Sequence, residues 1–377
     1  MKKISALILV SIIIITTTGC NLFGSNIKSK MRDITTMEVT REMGVGINLG
    51  NTFEAVAGIS SDNPNDYEVS WGSPIITKEL IKGYADEGFG VLRIPVAWSN
   101  MMEEDYTISP AYMKRVKEVV EWTLQSGMYA ILNIHWDGGW WKDFPDKPDE
   151  CMYRYERFWT QISDEFKDYN DYLMFESLNE ELGWEELWDR YSDEGDKAAS
   201  FDLANEINQK FVDIVRASGG KNAERHLLIA GYNTDFHLTS DEMFKMPNDE
   251  MNRCAVSVHY YTPATFCLLD KEAEWGKPRT EWGNEADFKE LNDNFDLVKE
   301  RFIDNGIPVI IGEYGVTTSN KTDEVIRLYM ASVTEAAYSR QMCPVVWDVT
   351  DVFYDRTTFK MKDQELLRQL MAVKEEG

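Results

Sequence analysis

Eight short apolar runs, separated by longer segments of helical periodicity, constrain the fold of this chain more than any other feature. The runs are nearly continuously apolar, as strands covered on both faces should be. They span residues 44–50, 91–96, 129–135, 173–179, 227–232, 255–261, 308–313 and 344–349. Strand and helix alternating eight times predict an α/β fold, a (β/α)8 TIM barrel closed by a parallel sheet.

The segments between these runs place apolar residues at the spacing of amphipathic helices. They include residues 111–126, 201–218, 287–305, 322–340 and 364–374. Ser109 as N-cap, Pro110 at the first helical position and Gly127 just past the end delimit the first helix. Asp363 is placed to cap the last one.

The first 20 residues have the pattern of an export signal. Lys2 and Lys3 precede a mostly apolar run at 4–15 that is too short to span a membrane comfortably. Gly19 before Cys20 resembles a bacterial lipoprotein signal, in which Cys20 becomes the lipidated N-terminus; ordinary cleavage without lipid is the alternative. We expect an exported protein, either a cell-surface lipoprotein or secreted, with membrane contact only through Cys20. Residues 21–31 are predicted to be a polar tether, and 32–377 a single barrel domain.

Composition narrows the possible partners. The formal net charge of −26 argues against nucleic acid and favours a neutral substrate. The remaining cysteines, Cys151, Cys254, Cys267 and Cys343, form no C-x-x-C pair and no metal-ligand spacing. We therefore predict no metal site and no cofactor, expect a monomer, and leave disulfide pairing open.

Two of the predicted strands carry a carboxylate at their end. L-M-F-E-S-L-N-E ends in Glu180, and P-V-I-I-G-E-Y-G contains Glu313. In an α/β barrel the carboxyl ends of the strands open onto one site, so these two acids would face the same pocket. Such a pair is what cleavage of a glycosidic bond requires. For either residue alone, a stabilising salt bridge is the simpler interpretation.

Other strands end in polar or aromatic residues that are costly to bury. Arg93 lies inside an apolar run and needs a partner there. His259 and Tyr261 are two apart and so share a face of their strand. The remaining candidates at strand ends are His135, Asn179 and Trp347, with Asn51 and Glu54 after the first strand. A lone residue of this kind is usually structural, but a set that converges by barrel geometry favours a site.

These motifs together resemble glycoside hydrolase family 5, the large cellulase family of retaining β-glycanases. The resemblance extends from G-I-N-L-G-N-T to the W-D at the eighth strand and includes R-I-P-V, N-E, H-Y-Y and G-E-Y-G. N-L-G-N-T-F-E followed by W-G-S-P resembles the endo-β-1,4-glucanase branch that includes xyloglucanases. Two positions depart from the family pattern: Trp136 replaces a second His, and Val346 replaces a second Trp. Both departures concern substrate preference and leave the acid pair untouched.

The resemblance implies a retaining double displacement with Glu313 as nucleophile and Glu180 as acid and then base. Retention predicts carboxyl groups about 5–5.5 Å apart, whereas inversion needs roughly 6.5–9.5 Å. Arg93 and Tyr261 would keep Glu313 ionised, while burial and the second carboxylate would raise the pKa of Glu180. The other implied roles are sugar 2-hydroxyl binding by Asn179, orientation of Glu180 by His259, contact with the reacting sugar by His135 and a stacking floor from Trp347.

Several tryptophans in the long segments after the strands are candidate sugar platforms, with a loop-anchoring core role as the alternative for each. They are Trp140, Trp141, Trp184, Trp275 and Trp282. The predicted partner is a polysaccharide, a cellulose-type or related β-1,4-glucan cleaved internally. Xyloglucanase, mixed-linkage β-glucanase and β-mannanase activities remain alternatives.

Two interpretations from other classes also remain. A metal-dependent hydrolase on this barrel would require more than the four His of the chain, and insensitivity to chelator would exclude it. A non-catalytic surface glycan-binding lipoprotein would not need both Glu180 and Glu313, and release of reducing sugar would exclude that interpretation.

Overall fold

The computed structural model describes residues 26–56, 58–184 and 187–374. Within them, eight parallel strands close into a barrel in the order β1-β8-β7-β6-β5-β4-β3-β2. The strands are β1 (Gly46–Asn48), β2 (Val91–Ile94), β3 (Tyr129–Asn133), β4 (Leu173–Glu176), β5 (Leu227–Ala230), β6 (Cys254–Tyr260), β7 (Val309–Tyr314) and β8 (Cys343–Val346). The predicted (β/α)8 barrel is confirmed, and each predicted strand corresponds to one of these.

Helices pack around the outside of the barrel, and short hairpins extend from its loops. The α-helices are Thr36–Met43, Pro64–Glu68, Lys78–Asp86, Pro110–Gln125, Pro148–Phe166, Lys197–Ala217, Phe236–Thr239, Ala264–Cys267, Glu285–Arg301, Asp323–Tyr338 and Gln364–Ala372. The 3-10 turns in the described part of the chain are Trp98–Met101, Asp137–Asp143, Gly220–Glu224, Tyr232–Thr234 and Ile303–Asn305. Trp188–Asp189 pairs with Glu194–Gly195, and Tyr354–Asp355 pairs with Lys360–Met361.

The helix ends follow the local sequence closely. The Asp363 side chain accepts hydrogen bonds from the backbone N–H groups of Glu365 and Leu366, which confirms the predicted cap. Ser109 occupies the N-cap position of Pro110–Gln125, but its side chain makes no capping bond, and Pro110 begins that helix. Gly127 follows with φ +86°, a conformation that is strained for residues with a Cβ.

The helix Thr36–Met43 closes the amino-terminal end of the barrel. Its Val39 and Met43 are fully buried among side chains of the strands, namely Val91, Tyr129, Ile131, Met174, Leu228, Ala255, Ile310, Cys343 and Val345. Just before this helix, Arg32 Nε donates to Asp171 Oδ2 at 2.6 Å, near the start of β4. The amino-terminal segment of the domain is therefore held at the end of the barrel opposite the carboxyl ends of the strands.

Strand β7 carries one extra residue relative to both neighbours. Its register with β6 moves from Val258–Ile311 to His259–Glu313, and its register with β8 shifts over the same stretch. The extra residue is Gly312, where an added Cβ would lie 2.8 Å from Ser257 Oγ and 3.0 Å from His259 Nε2. A bulge of this kind re-aims the residue that follows it, and here that residue is Glu313.

The described cysteines, Cys151, Cys254, Cys267 and Cys343, are free thiols. Among the helices of the described residues, none is long and apolar enough to cross a membrane. The predicted signal peptide, with Cys20, and residues 21–25 of the predicted tether fall outside the described residues and stay predictions. The rest of the predicted tether, 26–31, is described and lies against the domain: the Asn170 backbone N–H donates to the Ile27 oxygen at 3.0 Å, and Met31 is buried.

Candidate active site

All eight residues of the predicted constellation lie at the carboxyl ends of the strands. Arg93, His259 and Glu313 belong to β2, β6 and β7, whereas the others follow directly after strand ends: His135, Asn179, Glu180, Tyr261 and Trp347. The strands therefore bring side chains that are up to 254 positions apart, from Arg93 to Trp347, to one end of the barrel.

The two carboxyl groups meet at one imidazole. Glu180 Oε1 lies 2.6 Å from His259 Nδ1, and Glu313 Oε2 lies 3.7 Å from the same nitrogen. One oxygen of each carboxyl group and a ring nitrogen of His259 all fall within 4.8 Å of one another. A distance of at most 4.8 Å between the two carboxyl oxygens agrees with the short separation of a retaining pair and is below the roughly 6.5–9.5 Å of an inverting pair.

Arg93 connects Glu313 to the barrel interior. Its Nη1 donates to Glu313 Oε1 at 2.7 Å, and its Nη2 donates to Asn179 Oδ1 at 3.1 Å. Its Nε donates to Glu176 Oε2 at 2.6 Å, with both side chains fully buried. The partner that Arg93 was predicted to need is thus a pair of carboxylates, and the planar guanidinium orients both of them at once.

Glu176, at the end of β4, is a part of the site that sequence reasoning missed. It receives hydrogen bonds from Asn133 Nδ2 at 3.1 Å and from Ser257 Oγ at 2.8 Å. Asn48 completes this polar layer by accepting from Arg93 Nη1 at 3.1 Å. The available signal was a second acid in L-M-F-E-S-L-N-E, at a position that alternation points into the barrel.

Burial sets the protonation of the acid pair. Although 37% of the Glu180 side chain is exposed to the cleft, the surrounding protein raises the pKa of Glu180 to about 7. Burial and the neighbouring Glu180 also raise the pKa of Glu313 above its ordinary value, while Arg93 acts to lower it. Arg93 thus favours ionised Glu313 as predicted, but this contribution only partly offsets burial.

His259 is neutral at neutral pH, because burial lowers its pKa to about 4. Its Nδ1 faces both carboxyl groups, and its Nε2 is buried without a hydrogen-bond partner among the described residues. A neutral imidazole can exchange a hydrogen bond with Glu180 in either protonation state of that acid. The Tyr261 hydroxyl donates to Glu313 Oε2 at 3.0 Å, so each carboxyl group has its own partner.

Two aromatic rings, which follow β3 and β8, lie parallel to each other. The His135 and Trp347 rings are nearly parallel, with an interplanar angle of 3° and centroids 5.7 Å apart. Burial lowers the pKa of His135 well below its ordinary value, so this ring is neutral. Parallel apolar faces of this kind suit the C–H face of a sugar ring.

A cleft of about 480 Å³ opens from Glu180 between the loops that follow β3 and β4. Its lining residues are Trp136, Gly139, Trp141, Lys142, Asn179, Glu180, Glu181, Trp184, Asp189 and Tyr191. Trp136, Trp184 and Tyr191 are strongly exposed, at 46%, 41% and 70%. Trp184 therefore lies where a platform was predicted, and Trp141 lines the cleft although it is almost fully buried.

Three of the five tryptophans proposed as platforms do not line this cleft. Trp140 is buried, stacks on Trp141 with centroids 3.8 Å apart and donates from its indole to Asp137. Trp282 is buried against Phe288 and Tyr329. The platform prediction is wrong for these two, because both anchor loops. Trp275 is exposed but lies outside the residues lining the cleft.

Sequence reasoning noted Trp136 only as a departure from a family pattern and did not consider Tyr191. Trp136 follows closely after β3, and its ring lies against Gly139, where an added Cβ would be 3.2 Å from it. Gly138 and Gly139 both have positive φ, which lets the chain fold back under that ring. The available signal was the G-G pair two residues after Trp136.

The family model described as cellulase, glycosyl hydrolase family 5, matches residues 50–352. The chain belongs to this family. Over 347 residues it is 34% identical to endoglucanase B of Clostridium cellulovorans, covering 90% of this chain and 74% of that one. It is 35% identical to the xyloglucan-specific endo-beta-1,4-glucanase of Bacteroides ovatus, covering 87% and 68% of the two chains.

Solved structures agree with the sequence comparison. The family 5 broad specificity endoglucanase from an uncultured bovine rumen ciliate superposes with a TM-score of 0.82 at 34% identity, covering 91% of this chain and 99% of that one. These findings confirm that the chain is a glycoside hydrolase of the cellulase family.

Proposed function

We propose that this family 5 enzyme hydrolyses β-1,4-glucan internally by a retaining double displacement, with Glu313 as nucleophile and Glu180 as acid and then base. The observation that carries the proposal is the convergence of both carboxyl groups on His259 Nδ1, at 2.6 and 3.7 Å. In a pair this close, one carboxylate can attack the anomeric carbon directly while the other acid gives its proton to the leaving oxygen. Retention is general to the family, and the relatives named above are endoglucanases and a xyloglucanase.

The surroundings of each acid support its role. Glu180, whose pKa is raised to about 7, keeps a proton to give to the leaving oxygen near neutral pH. Glu313 receives hydrogen bonds from Arg93 and Tyr261, which hold its oxygens in place for attack. Asn179, fixed by Arg93, lies beside both acids and would bind the sugar 2-hydroxyl, a contact that strengthens in the transition state.

The open cleft favours an endo mode of action, because a chain can enter and leave without its end being enclosed. A β-1,4-glucan backbone is the substrate class we propose, with xyloglucan, mixed-linkage glucan and β-mannan as the alternatives. The relatives include a xyloglucan-specific enzyme and a lichenase from Caldicellulosiruptor sp. F32, so a branched or mixed-linkage backbone fits the same family. Release of reducing sugar from a panel of these polysaccharides separates the possibilities.

Replacement of the nucleophile tests the mechanism directly. We expect Glu313→Gln to reduce kcat on soluble β-glucan by at least about a thousandfold with the fold intact, because no covalent intermediate can form. Glu118→Gln, which removes an exposed carboxylate from the helix Pro110–Gln125, is the matched control and should retain full activity. Near wild-type turnover by Glu313→Gln would refute the assignment.

The acid role of Glu180 predicts a dependence on the leaving group. We expect Glu180→Ala to slow polysaccharide hydrolysis by about a hundredfold or more, and to slow cleavage of an activated aryl cellobioside far less, because a nitrophenolate departs without a proton. Steady-state kinetics on the two substrates provide the measurement. Equal losses on both would contradict the role.

We also propose export, followed by lipidation at Cys20, supported by the sequence of residues 1–20. A diacylglyceryl group at Cys20 would move the full-length protein into the detergent phase on Triton X-114 partitioning. We expect Cys20→Ala to shift it to the aqueous phase. Both forms in the aqueous phase would show cleavage without lipid, the alternative.

A further inference from the structure

One wall of the cleft is built from two exposed rings that share a single cation. Trp184 and Tyr191 have ring centroids 5.4 Å apart, and we call this pair the aromatic wall. The Arg190 guanidinium carbon lies 5.8 Å from the Trp184 ring centroid and 5.1 Å from the Tyr191 ring centroid. A guanidinium at these distances attracts both ring faces and restrains their orientation.

The same guanidinium reaches from the aromatic wall to the acid. Arg190 Nη1 donates to Asn233 Oδ1, and Nη2 donates to Asp235 Oδ2 at 2.8 Å. Asn233 Nδ2 in turn donates to the Glu180 backbone oxygen at 2.7 Å. Cation–ring contacts to Arg190, followed by the hydrogen bonds from Arg190 to Asn233 and from Asn233 to the Glu180 oxygen, therefore join the aromatic wall to the backbone that carries Glu180.

Arg190 is not what holds the base of this loop together. Trp188 is buried and packs near Phe201 and Tyr232, and its indole donates to Asp193 Oδ1 at 2.9 Å. The backbone N–H of Arg190 also bonds to the Gly183 oxygen at 3.0 Å. These contacts stabilise the hairpin, whereas the Arg190 guanidinium contacts the exposed rings of Trp184 and Tyr191.

We propose that Arg190 is a positioning residue that fixes the aromatic wall relative to Glu180 and so determines how the leaving-group side of the glucan is bound. The inference rests on the proposed function, because an acid that protonates the leaving oxygen lies on the leaving-group side of the cleaved bond. The cleft extends from Glu180 to the aromatic wall, and the nucleophile Glu313 is not among the described residues that line it. Sugars on the aromatic wall are therefore leaving-group sugars.

The charges of the Arg190–Asp235 pair also act on the acid in opposite directions. Burial raises the pKa of Glu180 most; beyond burial, Arg190 lowers that pKa and Asp235 raises it. Among the described residues, the charged or titratable groups facing Glu180 also include Arg93 from β2, His259 and Tyr261 from β6 and its end, and Glu313 from β7. Lys142, Glu181 and Asp189 line the same cleft. Changes at Arg190 and Asp235 should therefore shift the pH profile with opposite signs.

The test compares a long substrate with one that lacks leaving-group sugars. Arg190→Lys keeps the positive charge but loses the planar guanidinium that donates to Asn233 and Asp235 at once. We expect this variant to raise KM for cellopentaose about fivefold and KM for nitrophenyl cellobioside less than about twofold. We expect Arg190→Gln to move the alkaline limb of kcat/KM up by about 0.5 in pH, and Asp235→Asn to move it down. Asn can still cap the helix Phe236–Thr239, as Asp235 does.

A second ion pair provides a matched control. Arg327 Nε donates to Asp363 Oδ2 at 2.6 Å with similar exposure, and Asp363 also caps a helix. Arg327→Gln and Asp363→Asn should leave both KM values and the pH profile unchanged. Equal KM changes on both substrates together with an unmoved alkaline limb in Arg190→Gln would overturn the inference, as would unchanged KM values in Arg190→Lys. If the enzyme is active, neither of these results contradicts the proposed function, because that function is tested separately by the Glu313→Gln and Glu180→Ala variants.

Discussion

At the scale of single residues, Arg93 has the largest effect on how the site is arranged. It is fully buried and bonds to two carboxylates, Glu176 and Glu313, and to the Asn48 and Asn179 side chains. Burial alone would lower its pKa, but attraction to the two carboxylates raises it, so Arg93 stays charged. A cation deep in the barrel is costly, and here its neighbours use all three guanidinium nitrogens.

Removing this cation alone should destabilise the fold. We expect Arg93→Met to lower the free energy of unfolding by about 3–5 kcal/mol, because Glu176 is left buried without its counter-charge. The double variant Arg93→Met with Glu176→Gln should recover part of that loss, since the fully buried Glu176 charge is gone and only Glu313 still lacks its counter-charge. Urea denaturation of the three proteins provides the measurement, and a single variant as stable as the wild type would contradict the expectation.

At the scale of elements, the sequence predicted where strands end but not which way loop aromatics point. The short apolar runs bounded by polar residues predicted all eight strands, and the acids at their ends identified Glu180 and Glu313. Trp140 and Trp282 could not be told from Trp184, because an aromatic residue in a long loop can face the core or the cleft with the same local pattern. The bulge at Gly312 depends on register between strands, which one strand's sequence does not show.

The loop after β3 offers a test of how the cleft is shaped. We expect Gly139→Ala to raise KM on β-glucan about threefold or more, because the added Cβ would lie 3.2 Å from the Trp136 ring and displace it. Gly127→Ala is the control: it has a similar positive φ of +86° with nothing within 4 Å of the added carbon. Both variants should lose about 1 kcal/mol of stability from backbone strain. Identical KM values in the two would contradict this role for Trp136.

At the scale of the whole molecule, strand and helix alternation was sufficient to predict the barrel, since few folds accommodate eight such repeats. The buried ion pair between Arg93 and Glu176 was harder to predict, because these residues lie on different strands and meet only in the closed barrel. Burial also places several acids at unusual pKa values, with the pKa of Glu54 raised to about 7 and that of Asp348 to about 6. Stability should therefore depend on pH well above the ordinary carboxyl range.

Glu54 makes this dependence testable. Its carboxyl accepts a hydrogen bond from the Thr52 backbone N–H at 2.9 Å and is almost fully buried. Because its pKa is raised in the folded state, its stabilising contribution is present below about pH 4.5 and is lost as the pH rises through about 7. We expect Glu54→Gln to reduce the fall in Tm between about pH 5.5 and pH 8 by about 2–4 °C. The buried histidines, whose pKa values are lowered, make Tm rise with pH, and they do so equally in the control Glu118→Gln. If Tm falls as much in Glu54→Gln as in this control, the assignment of the raised pKa to Glu54 is wrong.

The helix Thr36–Met43, which seals one end of the barrel, also determines how the enzyme can be attached to a surface. A linkage made upstream of this helix would hold the molecule by its sealed end, with the cleft directed outward. Coupled to beads in that way, the enzyme should digest insoluble fibres as readily as soluble chains, whereas random coupling through lysines would block many copies.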